Sequence, residues 1–138
     1  MANTRHESLS DHLRDIEGVV ESPSMFGPGN AFWCNGKEIA HFDSTDVIDL
    51  RLTAPIIREL RPVLRDNPRV ELRKGRSDWI EIRVSSNDDV AFVAEMAERA
   101  AATHRPDPGT AAEPPPTGAD LSAAADSTST GRRGKVIG

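Results

Sequence analysis

Three groups of residues in this 138-residue chain could do chemistry. In the first, His41 and Asp43 stand two apart at the end of an apolar run, the spacing that puts both side chains on one face of a strand. A histidine beside a carboxylate can exchange a proton near neutral pH, so this pair is the candidate for acid–base catalysis. The competing reading is a histidine hydrogen-bonded within its own turn. A divalent ion normally takes at least three protein ligands and His-x-Asp offers two, so no metal site is predicted.

The second group is Trp79 with Arg51, Arg83 and Trp33. Period-two alternation puts Asp49, Arg51, Glu71, Arg73, Trp79, Glu81 and Arg83 on one side of a sheet. A tryptophan ringed by arginines suits an anion or a base. The alternative is a solvated face on which acid and base alternate and pair across strands. Trp79 needs cover even then, from Trp33, the chain's tail or a partner. The third group, Arg58, Arg61 and Arg65, recurs at i, i+3 and i+7 opposite the apolar side of a helix, and Arg69, Arg73, Lys74 and Arg76 extend it. Such a stripe could hold nucleic-acid phosphates. A formal charge of −5 favours the plainer reading, the wet side of a surface helix.

Cys34 is the one cysteine, which excludes an intrachain disulfide and reads as a small core residue. There is no G-x-S-x-G, no Walker loop and no G-x-G-x-x-G. Gly27-Pro28-Gly29 is not a phosphate loop, since its proline removes an amide donor. No cofactor is predicted.

The elements that must position these groups follow from periodicity and punctuation. Leu9, Leu13 and Ile16 mark a helix over about 9–17, closed by Gly18, with a short strand at 19–21. After a Pro- and Gly-rich loop, residues 31–34 and 37–42 pair as a hairpin turning at Asn35-Gly36. Strands are expected at 47–52, 70–74 and 79–84. A helix over 54–65, capped by Thr53, should kink or end near Arg61, because Pro62 removes a backbone bond. A last helix, over about 88–103, starts on Asp88 and Asp89. After Arg105 the composition turns to Pro, Ala, Ser, Thr and Gly, with Pro114-Pro115-Pro116, so 106–138 is expected to be disordered.

The predicted fold class is therefore α+β: one domain over 1–105, a two-layer sandwich with an antiparallel sheet of about five strands and helices packed on one face. Met1–Glu7 carries no apolar stretch, and no run of about 18 apolar residues exists to span a membrane, so a cytoplasmic location is expected.

The run Ala31-Phe32-Trp33-Cys34-Asn35-Gly36-Lys37-Glu38-Ile39-Ala40-His41-Phe42 resembles the opening hairpin of the small luciferase domain family. Val47–Leu64, Ser77-Asp78-Trp79-Ile80 and a final helix after an acidic cap are similar to it too. The resemblance covers roughly Val19 to Thr103 and implies the same α+β fold. It implies no flavin-dependent (β/α)₈ barrel, which needs about 250 residues. Members often carry a second histidine where Asp43 stands here, so the resemblance lends no two-histidine site to this chain. A looser similarity in layout is to the YjbR-like (MmcQ) family. The expected function is a non-enzymatic binding or accessory module using the face around Trp79, Arg51, Arg83 and Trp33. Its ligand or protein partner is unidentified, and a Trp-bearing face makes a homodimer plausible. A small enzyme built on His41 and Asp43, and a nucleic-acid module built on Arg58, Arg61 and Arg65, are the alternatives.

Overall fold

The alternating apolar runs become β1 (Val19–Pro23), β2 (Asn30–Cys34), β3 (Lys37–Ser44), β4 (Val47–Arg51), β5 (Val70–Leu72) and β6 (Trp79–Arg83) in a computed structural model that describes residues 4–116. They form one antiparallel sheet in the order β1-β2-β3-β4-β6-β5. Helices α1 (Thr4–Arg14), α2 (Ala54–Asp66) and α3 (Asn87–His104) cover one face. Between the layers lie Leu9 and Leu13 from α1, Phe32, Ile39, Ile48, Leu50, Ile80 and Ile82 from the sheet, Ile57 and Leu64 from α2, and Val93 and Ala97 from α3. No helix among the described residues is long and apolar enough to cross a membrane.

Six strands stand where five were expected. The sixth is β1, which runs on to Pro23 and pairs along the whole of β2, from Val19 opposite Cys34 to Pro23 opposite Asn30. Proline is tolerated there because β1 is an edge strand. Helix α1 sits several residues earlier than its apolar spacing predicts, ending at Arg14 so that Ile16 and Gly18 (φ +90°) can turn the chain into β1.

Asn35 (φ 53°) and Gly36 (φ 77°) supply the two positive φ values of a tight hairpin turn. The segment after α3 reaches back to this turn, where the Glu113 N–H donates to Asn35 Oδ1 at 2.8 Å. Residues 106–116 carry no helix or strand, but this bond ties them to the hairpin. The remainder of the expected disordered tail, 117–138, lies outside the described residues.

Helix α2 departs from expectation at both ends. It continues through Pro62 to Asp66 without stopping at Arg61. Pro62 is exposed, so the carbonyl it leaves unpaired can turn toward water. Thr53 makes no side-chain cap, and its backbone lies at φ 82°, a conformation that is costly for a β-branched residue. Asp78, in the turn before β6, does the capping. Its carboxylate accepts from Ala54 N–H at 2.8 Å and its carbonyl accepts from Thr53 N–H at 2.9 Å. The start of α2 is thereby fastened to the β5–β6 turn. At α3 the expected acidic start is a reciprocal cap: Ser86 Oγ accepts from Asp89 N–H, and Asp89 Oδ2 accepts from Ser85 N–H.

Candidate functional site

The sheet face turned away from the helices is laid out in rows by the strand register. Asp49, Glu81 and Glu71 stand directly opposite one another across β4, β6 and β5. In this row the charges do not pair acid to base directly across the strands, as one reading of the sequence required. Like charges directly opposite are unfavourable, so this acidic row needs cations beside it. Arg51 and Trp79 face each other in the next row, and Arg73 follows β5 on the same side.

A register shift in β3 brings His41 into contact with the acids. Phe32 pairs with Ala40 and Trp33 with Glu38, which leaves Ile39 unpaired. The extra residue resets the alternation. Ile39 and Ala40 are both buried, and Glu38 and His41, three apart, meet on the open face. His41 Nε2 is 3.0 Å from Asp49 Oδ2, and Nδ1 is 2.9 Å from Glu38 Oε2 at an angle too poor for a hydrogen bond. Glu38 is fully buried and also accepts from Ser24 Oγ (2.7 Å) and Met25 N–H (2.8 Å), which holds the loop between β1 and β2 over the sheet. Burial lowers the His41 pKa, but the contacts to Asp49 and Glu38 outweigh it and raise the value to about 9. The side chain is an imidazolium between two carboxylates at neutral pH.

Asp43 is exposed, and the acids on His41 are Asp49 and Glu38. The i, i+2 argument fails because a second register shift falls between Phe42 and Ser44, at Asp43 itself. Among the described residues, no three His, Cys, Asp or Glu side chains converge as metal ligands would. Glu38 and Asp49 lie on opposite ring nitrogens, so they do not face one common ion.

Trp79 is no exposed platform. It is 5% exposed, with Phe26 edge-on at 5.6 Å between ring centres, His41 at 5.3 Å and the Arg51 guanidinium 5.2 Å over its ring. Its cover comes from the loop through Phe26. Trp33 is buried three strands away on β2, opposite Glu38, and donates from Nε1 to the Ser22 carbonyl. Arg83 is exposed at the far end of β6, opposite Val47.

The remaining edge of Trp79 forms the wall of a pocket of ≈ 270 Å³ between α2 and the β5–β6 turn. Ala54, Ile57 and Leu72 give it apolar lining, and four arginines, Arg58, Arg61, Arg73 and Arg76, line it as well. No acidic residue lines it. The Asp78 clamp on Thr53 and Ala54 sets the separation of its two walls. Two arginines of the helical stripe, Arg58 and Arg61, thus join two from the turn, while Arg65 lies outside the lining.

The model of the Luciferase domain family matches residues 36–100. That segment is similar to the luciferase domain. The match begins at the hairpin glycine and ends in α3, so the matched segment contains His41, Asp49, Trp79 and every residue lining the arginine pocket. Helix α1, β1, β2 and the loop bearing Ser24 and Phe26 precede the matched segment, and of these the loop packs Phe26 on Trp79 at the open face. No curated protein and no solved structure matches the chain.

Proposed function

We propose that this luciferase-domain protein is a non-enzymatic binding module whose ligand is a small dianion of the phosphate-monoester class, held in the arginine pocket. The observation that carries this reading is a pocket lined by four arginines and no acid, in a chain whose formal charge is −5. Charge of one sign gathered in a low-dielectric concavity focuses the field on an opposite ligand. Guanidinium groups match the oxygens of phosphate in pairs. The apolar lining and the Trp79 edge suit an organic group attached to the phosphate.

The pocket's chemistry supports binding over turnover. Its one hydroxyl, Ser77 Oγ, already accepts from Trp79 N–H at 3.1 Å. His41, the candidate acid–base residue, has a carboxylate beside each ring nitrogen and is not among the residues that line the pocket. Calorimetric titration of the protein with phenyl phosphate and with inorganic phosphate is the direct test. Saturable one-to-one binding is expected, tighter for phenyl phosphate, and weakened at least tenfold in the Arg58→Gln/Arg76→Gln double variant. No saturable binding, or equal binding by the folded double variant, would refute the assignment.

A further inference from the structure

The pocket and the His41 cluster share one residue. Arg73 lines the pocket, and its Nη2 lies 3.6 Å from Asp49 Oδ1. The Asp49 side chain is nine-tenths buried, and Oδ1 has no hydrogen-bond partner among the described residues. Its other oxygen is taken by His41. At 3.6 Å, with its side chain 47% exposed, Arg73 is held loosely and is free to turn toward a bound anion. Charges therefore alternate along a file from the loop to the pocket: Glu38, His41, Asp49, Arg73.

We infer that Asp49 is a positioning residue that competes with the ligand for Arg73, and that the charge on His41 sets how strongly it competes. This rests on the arginine pocket being an anion site. With His41 protonated, Asp49 is largely neutralised and releases Arg73 to the ligand. With His41 neutral, Asp49 is an uncompensated buried carboxylate and draws Arg73 back. The groups facing this file are Glu38 on β3, Arg51 and Asp49 on β4, Glu81 on β6, and Glu71 and Arg73 on and after β5. The row Asp49–Glu81–Glu71 is acidic throughout, so loss of the His41 charge leaves Arg73 as a main counter-ion on that side. By linkage, ligand that captures Arg73 must in turn strengthen proton binding at His41.

Sulfate keeps its charge from pH 7 to 10 and is the appropriate probe. Its affinity for the full chain is measured by calorimetry across that range for the wild type, Asp49→Asn and Arg73→Gln, with circular dichroism confirming the fold. Wild-type affinity should fall with a midpoint near the His41 value of about 9. Asp49→Asn should bind about fivefold tighter than wild type at pH 10, where wild-type His41 is neutral, a gain within the usual range of coupling between sites. Arg73→Gln should bind more weakly and lose the pH step. A flat wild-type profile, a step that persists in Arg73→Gln, or folded Asp49→Asn binding no tighter than wild type at pH 10 would each overturn the inference. Should Asp49→Asn fail to fold, the comparison of wild type with Arg73→Gln decides alone. Absence of sulfate binding by the wild type would remove the pocket assignment itself, whereas binding without the step would leave that assignment standing.

Discussion

His41 is held between two carboxylates, Glu38 and Asp49, on the open sheet face. Its pKa is raised from 6.5 to about 9, so the linked stabilisation is complete below about pH 6.5 and is lost as pH rises through 9. At roughly 1.4 kcal/mol per pKa unit, that contribution is on the order of 3 kcal/mol. His41→Gln leaves Glu38 and Asp49 buried without their cation, and should cost about 3–5 kcal/mol in urea unfolding at pH 7. The gap from wild type should narrow between pH 8 and 10, since the wild type loses the same charge there. Glu38→Gln should cost about 1–3 kcal/mol, because it weakens the anchors of Ser24 and Met25 as well as the His41 pair. At this scale the sequence was half legible. His41 stands out by type and place. Its true partners were hidden, because Glu38 reaches it only through the unpaired Ile39, and a bulge leaves no mark in an apolar run. Phe26 was hidden likewise, in a loop whose composition says only that it turns.

At the scale of elements, two local devices fix the geometry around the pocket and the hairpin. Asp78 caps α2 in place of Thr53, so Asp78→Ala should destabilise the protein by about 1–2 kcal/mol. It should also weaken anion binding by letting the two pocket walls separate, and a paired unfolding and binding measurement on that variant checks both. Thr53→Ala, by contrast, removes no cap bond and should change stability by well under the cost of a lost cap. Gly36 must adopt φ +77°, and a Cβ there would stand 2.9 Å from Glu113 Cβ. Gly36→Ala should therefore cost about 1–2 kcal/mol, the range for a strained left-handed residue. Truncation after Arg105 should recover the part of that cost due to the Glu113 contact. The hairpin turn, the alternation of β4 and β6 and the apolar faces of α2 and α3 were all readable, because each rests on local periodicity. The extension of β1 to Pro23 along the whole of β2 and the passage of α2 through Pro62 were not, because pairing and solvent access decide them.

For the whole molecule, the separation of charge matters more than its total. Acids gather opposite one another across β4, β6 and β5, and arginines gather at the neighbouring end between α2 and the β5–β6 turn. Composition alone shows a chain with formal charge −5 and argues against anionic partners; the fold concentrates the exceptions in one pocket. The basic zone read from the sequence already included Arg58, Arg61, Arg73 and Arg76; that α2 and the β5–β6 turn close one pocket around them required the fold. The luciferase-domain match over 36–100 contains the whole pocket. The most direct measurement of the central claim is a two-dimensional NMR titration with phenyl phosphate that follows arginine Nε–Hε and tryptophan indole signals. Saturating shifts are expected at Arg58, Arg61, Arg73, Arg76 and the Trp79 indole, with Arg14 and Trp33 unmoved. Shifts spread evenly over the surface arginines, or none at the four lining the pocket, would contradict it.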